Sequence, residues 1–540
     1  MDIAQAISQK LMLAFTGTVP SRQILGTLRH RPIGGVTLFR AGNVADPMQV
    51  CQLTAALQQA AAAGGHPPLL VGADQEGGQL IAIHGTTPFP GNLALAATGS
   101  VDLARRTGHA IGRELAAMGI NVNYAPVCDV NINPQNPVVG TRSFGEDPAI
   151  VARMATAMVE GMQLAGVAAT AKHFPGHGDT SSDSHHGLIV VPHGQERLQR
   201  VELPPFAAAI AAGVTLVMTA HVALPTLTDG LALPATLAPQ IVRGLLRGEL
   251  GFTGLIISDA MDMGAIGSGA ARVIDAVAAV AAGVDLLLLH SDVGAQQQVY
   301  DGLAHAAQRG LLSRSDLIDS AERVLALKRW LAEQPRPSPE VIGSSEHQAL
   351  AAEVAARAIT LVRDDAGLLP LRLPAAARVA VVVPQPIDLT PADTSSYVTC
   401  ELARAVRRYH SSVDDFVIPA DPAESQLAAL RQRLVDYELV IIGTINATGQ
   451  PGQAALVNTI LAADIPTIAV ALRMPYDLSS FPTAPVYLSV YSVLSPSMDA
   501  LADALWGAAP IDGRLPVSIP GLYSLGHGLG RATSKHQSGC

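Results

Sequence analysis

The runs VTLVMTA (214–220) and LIISD (255–259), with a longer helical stretch between them, form the sequence unit that decides the fold. Each run is almost continuously apolar, which is typical of parallel strands buried on both faces. Five further runs of this kind alternate with Ala- and Leu-rich helical stretches: GGVTLF (34–39), LLVGAD (69–74), NVNYAPV (121–127), VAATAK (167–172) and VDLLLL (284–289). Seven such strands predict a (β/α)8 TIM-type barrel, in which this pattern leaves the eighth strand unplaced.

A segment rich in Pro, Ser and Gly, WLAEQPRPSPEVIGSSEH (330–347), ends this alternation. Four more buried-type strands follow it, with helices between them: ARVAVVVP (377–384), ELVIIGTI (438–445), PTIAVAL (466–472) and APVYLSVY (484–491). We therefore predict an α/β chain with two domains. The boundaries are a barrel at 1–335, a linker at 336–350, a smaller three-layer α/β/α sandwich at 351–531 and a disordered tail at 532–540.

Composition excludes several classes of function. The net charge of −10 disfavours a nucleic-acid partner, because such binding needs a basic patch to neutralise phosphates. The longest apolar run, 276–289, contains Asp285 and is shorter than the roughly 20 residues of a membrane-spanning helix. Since the N-terminal residues also lack a signal-peptide pattern, we expect a soluble, cytoplasmic protein.

The cysteines bear on metal binding and on redox chemistry. Cys51, Cys128, Cys400 and Cys540 are scattered and show no CxxC spacing. This arrangement is typical of free thiols in a reducing compartment, in contrast to a disulfide framework or a zinc site. The sequence predicts neither a metal nor a cofactor.

Ionisable residues directly follow four of the predicted barrel strands. They are Asp74 after LLVGA, Lys172 and His173 after VAATA, His221 after VTLVMTA, and Asp259 after LIIS. Active residues of parallel barrels gather at the carboxyl ends of the strands, so these side chains are expected to share one site. Any one of them alone is as well explained as a helix N-cap, but four together favour an active site.

The loop KHFPGHGDTSSDSHH (172–186) concentrates four histidines, two aspartates and one lysine. Three chemistries compete for it. A zinc site on His173 and His177 is disfavoured because Pro175 and Gly176 interrupt the helix that such spacing requires. Lys172 is a candidate for a Schiff base if burial lowers its pKa. The third chemistry, a carboxylate nucleophile at Asp259 with a loop histidine as proton donor, explains the most residues.

Within this loop, Asp183 and His185 are two positions apart. In extended backbone their side chains point to the same side, so that the carboxylate can fix the tautomer of the imidazole. The pair is a candidate acid/base unit. A merely polar loop surface explains the spacing equally well.

Long ordered stretches of the chain resemble glycoside hydrolase family 3, and specifically its β-N-acetylglucosaminidase branch, which acts on peptidoglycan fragments. In the first domain they are GADQEGG (72–78), GINVNYAPVCDVNINPQNPVVGTRSFGEDP (119–148), KHFPGHGDTSSDSH (172–185), MTAHVALP (218–225) and PATLAPQIVRGLLRGELGFTGLIISDAMDM (234–263). The second domain resembles that of the two-domain members in AITLVRDDAGLLPL (358–371), MPYDL (474–478) and GRLPVSIPGLYSLGHGL (513–529).

The resemblance implies a role for each site residue. Asp259 corresponds to the catalytic nucleophile, His185 to the general acid/base, and Asp183 to the group that holds and polarises that imidazole. Residues that correspond to binders of the terminal sugar's hydroxyls are Asp74, Arg142, Lys172 and His173. The implied reaction is hydrolysis of terminal N-acetyl-β-glucosaminides with retention of configuration, on a small-molecule glycan and without a cofactor.

Gln79 departs from the family, which often has arginine at this position, and the departure is expected to weaken one sugar or structural contact. The implied loop histidine removes the need for an acid/base from the second domain, which we expect to be mainly structural. The closest rival function is a phosphorylase with the same site and phosphate as acceptor. A β-glucosidase, a Schiff-base lyase on Lys172 and a non-catalytic glycan-binding protein are further alternatives.

Overall fold

The barrel domain is built from eight parallel strands. The computed structural model describes residues 1–184 and 187–533. The barrel strands are β1 (Leu11–Ala14), β2 (Gly35–Thr37), β3 (Leu70–Ala73), β4 (Val122–Asn123), β5 (Ala168–Phe174), β6 (Leu216–Thr219), β7 (Leu255–Ser258) and β8 (Leu287–Leu289). They pair in the order β7-β6-β5-β4-β3-β2-β1-β8, and a parallel bridge between Ile257 and Leu286 completes the ring. The predicted barrel is confirmed, and its unplaced strand is β1.

Helices surround this ring and bury their apolar faces against the outward-facing strand residues. The longer ones are Ile3–Gln9, Arg22–His30, Pro47–Ala63, Val101–Ala117, Pro148–Leu164, Leu203–Ala211, Gln240–Glu249, Ala270–Ala282, Val293–Gln308 and Arg314–Ala332. Two begin with an Asp-Pro pair, in which Asp46 or Asp147 caps the free N–H groups and proline needs no N–H of its own. Within the described part of the chain, every helix is too short or too polar to cross a membrane.

The second domain contains a six-stranded sheet in the order β9-β14-β13-β12-β10-β11. Its strands are β9 (Thr360–Asp364), β10 (Val379–Pro384), β11 (Val413–Ile418), β12 (Leu439–Thr444), β13 (Thr467–Ala471) and β14 (Val486–Ser489). Only β9 runs antiparallel to its neighbour, as the pairings of the described strands show. Two of these strands, β9 and β11, are missing from the sequence prediction, and both lie at the edges of the sheet.

Helices cover both faces of this sheet. Ser345–Ala358, Leu402–Val406 and Ser495–Leu505 pack against one face, and Glu424–Leu434 and Pro451–Leu461 pack against the other. The three-layer arrangement is therefore confirmed. The first of these helices begins at Ser345, where Ser344 accepts from the His347 N–H and acts as its N-cap.

The two domains share a small apolar cluster beside the carboxyl ends of the barrel strands. Its members are Leu93, Ala94, Ala97, Ala358, Tyr476, Tyr491 and Val517. A polar contact lies near it, because Asn131 donates to the Tyr476 hydroxyl at 3.2 Å. This packing brings loops of the second domain close to the end of the barrel where active residues are expected.

Candidate active site

A cavity of about 290 Å³ opens at the carboxyl ends of the barrel strands. Asp74, Lys172 and Asp259 line it. Each lies an even number of positions beyond an interior-facing residue of its own strand, namely Leu70, Ala168 and Ile257. Because successive side chains of a strand alternate between faces, all three continue the inward face of the barrel.

Four charged side chains, Asp74, Glu76, Arg142 and Lys172, form what we call the floor cluster. Lys172 Nζ lies 2.6 Å from Asp74 Oδ1 and 2.6 Å from Glu76 Oε1. Arg142 donates to both oxygens of Glu76, at 2.9 and 2.8 Å. Glu76, Arg142 and Lys172 are 3%, 4% and 1% exposed, so this network is closed to solvent except at Asp74.

The floor cluster stabilises the charged forms of Glu76 and Lys172. Burial raises the pKa of Glu76, but Arg142 and Lys172 outweigh it and hold that pKa at about 2. Burial lowers the pKa of Lys172, yet the two carboxylates outweigh that effect and raise it. Lys172 is therefore an ammonium ion, which disfavours the Schiff-base alternative because that chemistry needs a neutral amine.

His173 lies beside this cluster and is neutral. Its Nδ1–H donates to Asp129 Oδ2 at 2.7 Å, and its Nε2 faces Arg142 Nη2 at 3.4 Å. Burial lowers its pKa well below the usual range, and the neighbouring Arg142 and Lys172 lower it further. The imidazole therefore keeps one fixed tautomer, with Nε2 as its acceptor.

The loop after β5 is held by internal hydrogen bonds. The His177 N–H donates to Asp129 Oδ1 at 2.7 Å, and His177 Nε2 lies 2.9 Å from Ser184 Oγ. Gly178 passes so close to Val130 that an added Cβ would lie 1.8 Å from its carbonyl oxygen. These contacts place Ser184, the residue after Asp183, on the cavity wall.

The predicted acid/base His185 lies outside the described residues, as does His186. Asp183 is partly buried at the edge of the described loop. The pairing of Asp183 with His185 stays a prediction.

Asp259 lies at the end of β7, with its carboxylate on the cavity wall. Its Oδ1 accepts from the Ala260 N–H at 2.8 Å. His221, the fourth strand-end residue, supports this turn: its Nε2 lies 3.1 Å from the Ala260 carbonyl oxygen and its Nδ1 lies 2.8 Å from Thr236 Oγ1. His221 therefore has a positioning role in this geometry.

The second domain lines the mouth of the cavity. We use the name mouth segment for residues 388–397. Six of these residues line the cavity: Asp388, Pro391, Ala392, Asp393, Thr394 and Tyr397. The expectation that this domain is mainly structural is wrong in this respect. Sequence reasoning missed it because the segment begins 99 positions after the last barrel strand ends at Leu289 and carries no catalytic motif.

Gln79, the departure from the family pattern, joins the barrel to this segment. Its side-chain oxygen accepts from Thr141 Oγ1 at 2.6 Å and from the Arg473 guanidinium. Arg473 also donates to Asp393 at 2.7 Å. A guanidinium group is thus present at this point, and it belongs to the second domain.

Five of the predicted residues, Asp74, Arg142, Lys172, His173 and Asp259, line one cavity. Glu76 and Asp129 complete their network but were not singled out from the sequence. The signal for Glu76 was its position two residues after Asp74, on the same face of an extended chain. Among the described residues, no group of three or more His, Cys, Asp or Glu side chains has an arrangement that could hold a metal ion.

Comparisons with known proteins agree with this architecture. The profile of the glycosyl hydrolase family 3 N-terminal domain matches residues 4–327. A β-hexosaminidase A from Pseudoalteromonas piscicida is 33% identical over 96% of this chain and 97% of its own length. A β-N-acetylglucosaminidase/β-glucosidase from Cellulomonas fimi is 31% identical over 92% and 90%. The structure of a family 3 β-N-acetylglucosaminidase from Paenibacillus sp. str. FPU-7 is 38% identical, with a TM-score of 0.90 over 96% of this chain and 99% of that one.

Proposed function

The chain belongs to glycoside hydrolase family 3, and on that premise we propose that it is a retaining exo-β-N-acetylglucosaminidase. Its proposed substrates are terminal non-reducing N-acetyl-β-glucosaminides, with peptidoglycan fragments as the natural class. The observation that carries the proposal is the position of Asp259, which lines the same cavity as Asp74, Arg142 and Lys172 of the floor cluster. A sugar held by that cluster presents its anomeric carbon to a carboxylate.

The proposed reaction has two displacement steps. Asp259 attacks the anomeric carbon and forms a glycosyl ester, while His185 protonates the departing glycosidic oxygen. Asp183 holds His185 and stabilises its charged form. In the second step, His185 removes a proton from water, and the water oxygen displaces Asp259 with overall retention of configuration.

The floor cluster and His173 are the proposed contacts to the hydroxyls of the terminal sugar. Asp74 is the most exposed of them, at 23% of its side chain, and only its Oδ1 is used by Lys172. Its other oxygen can therefore accept from a sugar hydroxyl. Because Lys172 and Arg142 are already held by Glu76, they need little reorganisation when substrate binds.

An aryl N-acetyl-β-glucosaminide tests the proposal directly, and the matching aryl β-glucoside tests the β-glucosidase alternative. We expect wild-type turnover of the first substrate to exceed that of the second, and Asp259→Asn to abolish it. Undiminished turnover by Asp259→Asn would overturn the mechanism. We also expect His185→Ala to lose much less rate on substrates with a good leaving group, which need no proton in the first step.

The identity of the acceptor is tested in the same assay. We propose water, so the rate should not depend on phosphate and the product should be free N-acetylglucosamine. Phosphate-dependent turnover with N-acetylglucosamine 1-phosphate as product would assign the phosphorylase alternative.

A further inference from the structure

Arg40 is a cation at the cavity mouth whose charge the protein leaves incompletely matched. Its Nη1 donates to the Ile81 carbonyl oxygen at 2.9 Å, and its guanidinium lies 4.2 Å from the centre of the Tyr397 ring. Its Nε is buried without a hydrogen-bond partner. Among the described residues, no carboxylate oxygen lies within 4 Å of an Arg40 nitrogen.

Asp388 is an acidic residue near Arg40, and its oxygens are used elsewhere. They accept from the Ser396 N–H and from Ser396 Oγ, each at 2.7 Å. Burial lowers the pKa of Arg40, while Tyr397 and Asp388 oppose that shift. Because a guanidinium remains protonated throughout the physiological range, Arg40 presents a positive charge to the cavity.

The position of Arg40 indicates which part of a substrate it meets. An exo-acting enzyme holds the terminal sugar at the closed end of its pocket, which here is the floor cluster. The leaving group must then extend outward, past Asp259 and toward the mouth. Arg40 and Tyr397 line the cavity on that side, one from each domain.

Hydrogen bonds between Thr394 of the second domain and Gln79 and Ile81 of the barrel join the two domains beside Arg40. The Thr394 N–H and its Oγ1 donate to the Gln79 carbonyl oxygen at 2.8 and 3.0 Å. The Ile81 N–H donates back to Thr394 Oγ1 at 3.0 Å. Arg40 donates to the Ile81 carbonyl oxygen, and Tyr397 lies three residues after Thr394. The hydrogen bond between Ile81 and Thr394 therefore helps to position both side chains.

We propose that Arg40 and Tyr397 form a leaving-group subsite that favours a leaving group bearing a carboxylate. Arg40 pairs with that carboxylate through the Nη atoms of its guanidinium, because its Nε is buried. Tyr397, a residue that is 55% exposed, keeps the guanidinium oriented and offers an aromatic surface to the leaving group. The proposal rests on the glycosidase function and deepens it to a class of substrate.

Two aryl N-acetyl-β-glucosaminides test this subsite without a natural substrate. Their phenols carry a meta-carboxylate or a meta-carboxamide, and the ratio of the two kcat/KM values is the readout. We expect wild-type enzyme to favour the carboxylate and Arg40→Gln to lower the ratio about fivefold, as for one partly exposed ion pair. Arg40→Lys, which keeps the charge, should retain part of the preference.

A salt titration of wild-type enzyme gives a measurement that needs no variant. Added salt should lower the carboxylate-to-carboxamide ratio, because it screens a partly exposed charge. A ratio that neither salt nor Arg40→Gln changes would overturn the subsite while leaving the glycosidase function intact. A failure to hydrolyse either compound would instead overturn the proposed function. Activation of both substrates by inorganic phosphate, lost in Arg40→Gln, would assign Arg40 to phosphate and also overturn the subsite.

Discussion

The cations on the floor of the cavity are paired with carboxylates, whereas the cation at its mouth is paired with no carboxylate of the residues that the structure describes. On the floor, Lys172 and Arg142 are buried and each contacts Glu76 at less than 3 Å. At the mouth, Arg40 has one carbonyl oxygen and the face of one ring as its contacts in the described part of the chain. A rigid, matched network suits the sugar unit that every substrate shares, whereas an incompletely matched cation suits the part of the substrate that varies. Among the described residues, the floor cluster belongs to the barrel domain, whereas the mouth has residues from both domains.

Removing a charge from the floor should have the largest effect. Lys172→Met leaves Asp74 and Glu76 beside each other in a buried site with only Arg142 to compensate them. We expect the free energy of unfolding to fall by about 3–5 kcal/mol, as for other broken buried pairs. Arg40→Met at the mouth is the matched control and should cost less than about 1 kcal/mol. Equal losses in chemical denaturation would remove the distinction between the two regions.

Lowering the pH should also reduce the contribution of the floor cluster to the free energy of unfolding. The folded-state pKa of Glu76 is about 2, against its ordinary value of 4.5 in the unfolded chain. Its stabilisation is therefore fully present above pH 4.5 and is lost as the pH falls toward 2, with a total of about 3 kcal/mol. We expect Glu76→Gln to flatten the pH dependence of unfolding in this window. A wild-type slope retained by Glu76→Gln would show that other carboxylates carry it.

Removing the hydrogen bonds of Thr394 between the two domains should destabilise the protein less than changing the floor cluster does. Thr394→Val removes a hydroxyl that donates to Gln79 and accepts from Ile81, with an expected loss of about 1–2 kcal/mol. Thr390→Val is the matched control on the same segment, because the Thr390 hydroxyl is buried without a hydrogen-bond partner. Thermal unfolding of both variants compares them. If Thr390→Val destabilises the protein as much as Thr394→Val, the contact has no special role.

The smallest expected effect is that of the Tyr397 ring. Tyr397→Ala removes the surface on which Arg40 lies and should raise KM for the carboxylate-bearing substrate about threefold, which is typical of an exposed cation–π contact. Tyr397→Phe keeps the ring and should recover most of that loss. Steady-state kinetics on both variants decide whether the ring or the hydroxyl matters.

Local pattern predicts the floor better than the mouth. Asp74, Lys172 and Asp259 follow apolar strands, and the alternation of a strand places them inside the barrel. Glu76 and Asp129 were missed because their importance comes from partners on other strands. The link from Gln79 to Arg473 spans 394 positions, a separation at which no periodicity carries information. Strand β11 was missed for a local reason: Asp414 and Asp415 are exposed on an edge strand and break its apolar run.

Mass spectrometry of a trapped intermediate tests the central claim most directly. A 5-fluoro-N-acetylglucosaminyl fluoride forms the ester quickly and releases it slowly, so that the glycosyl-enzyme accumulates. We predict an increase in mass of one sugar unit, on the peptide that contains Asp259, and none in Asp259→Asn. An adduct on any other residue, or turnover of this compound by Asp259→Asn, would contradict the account.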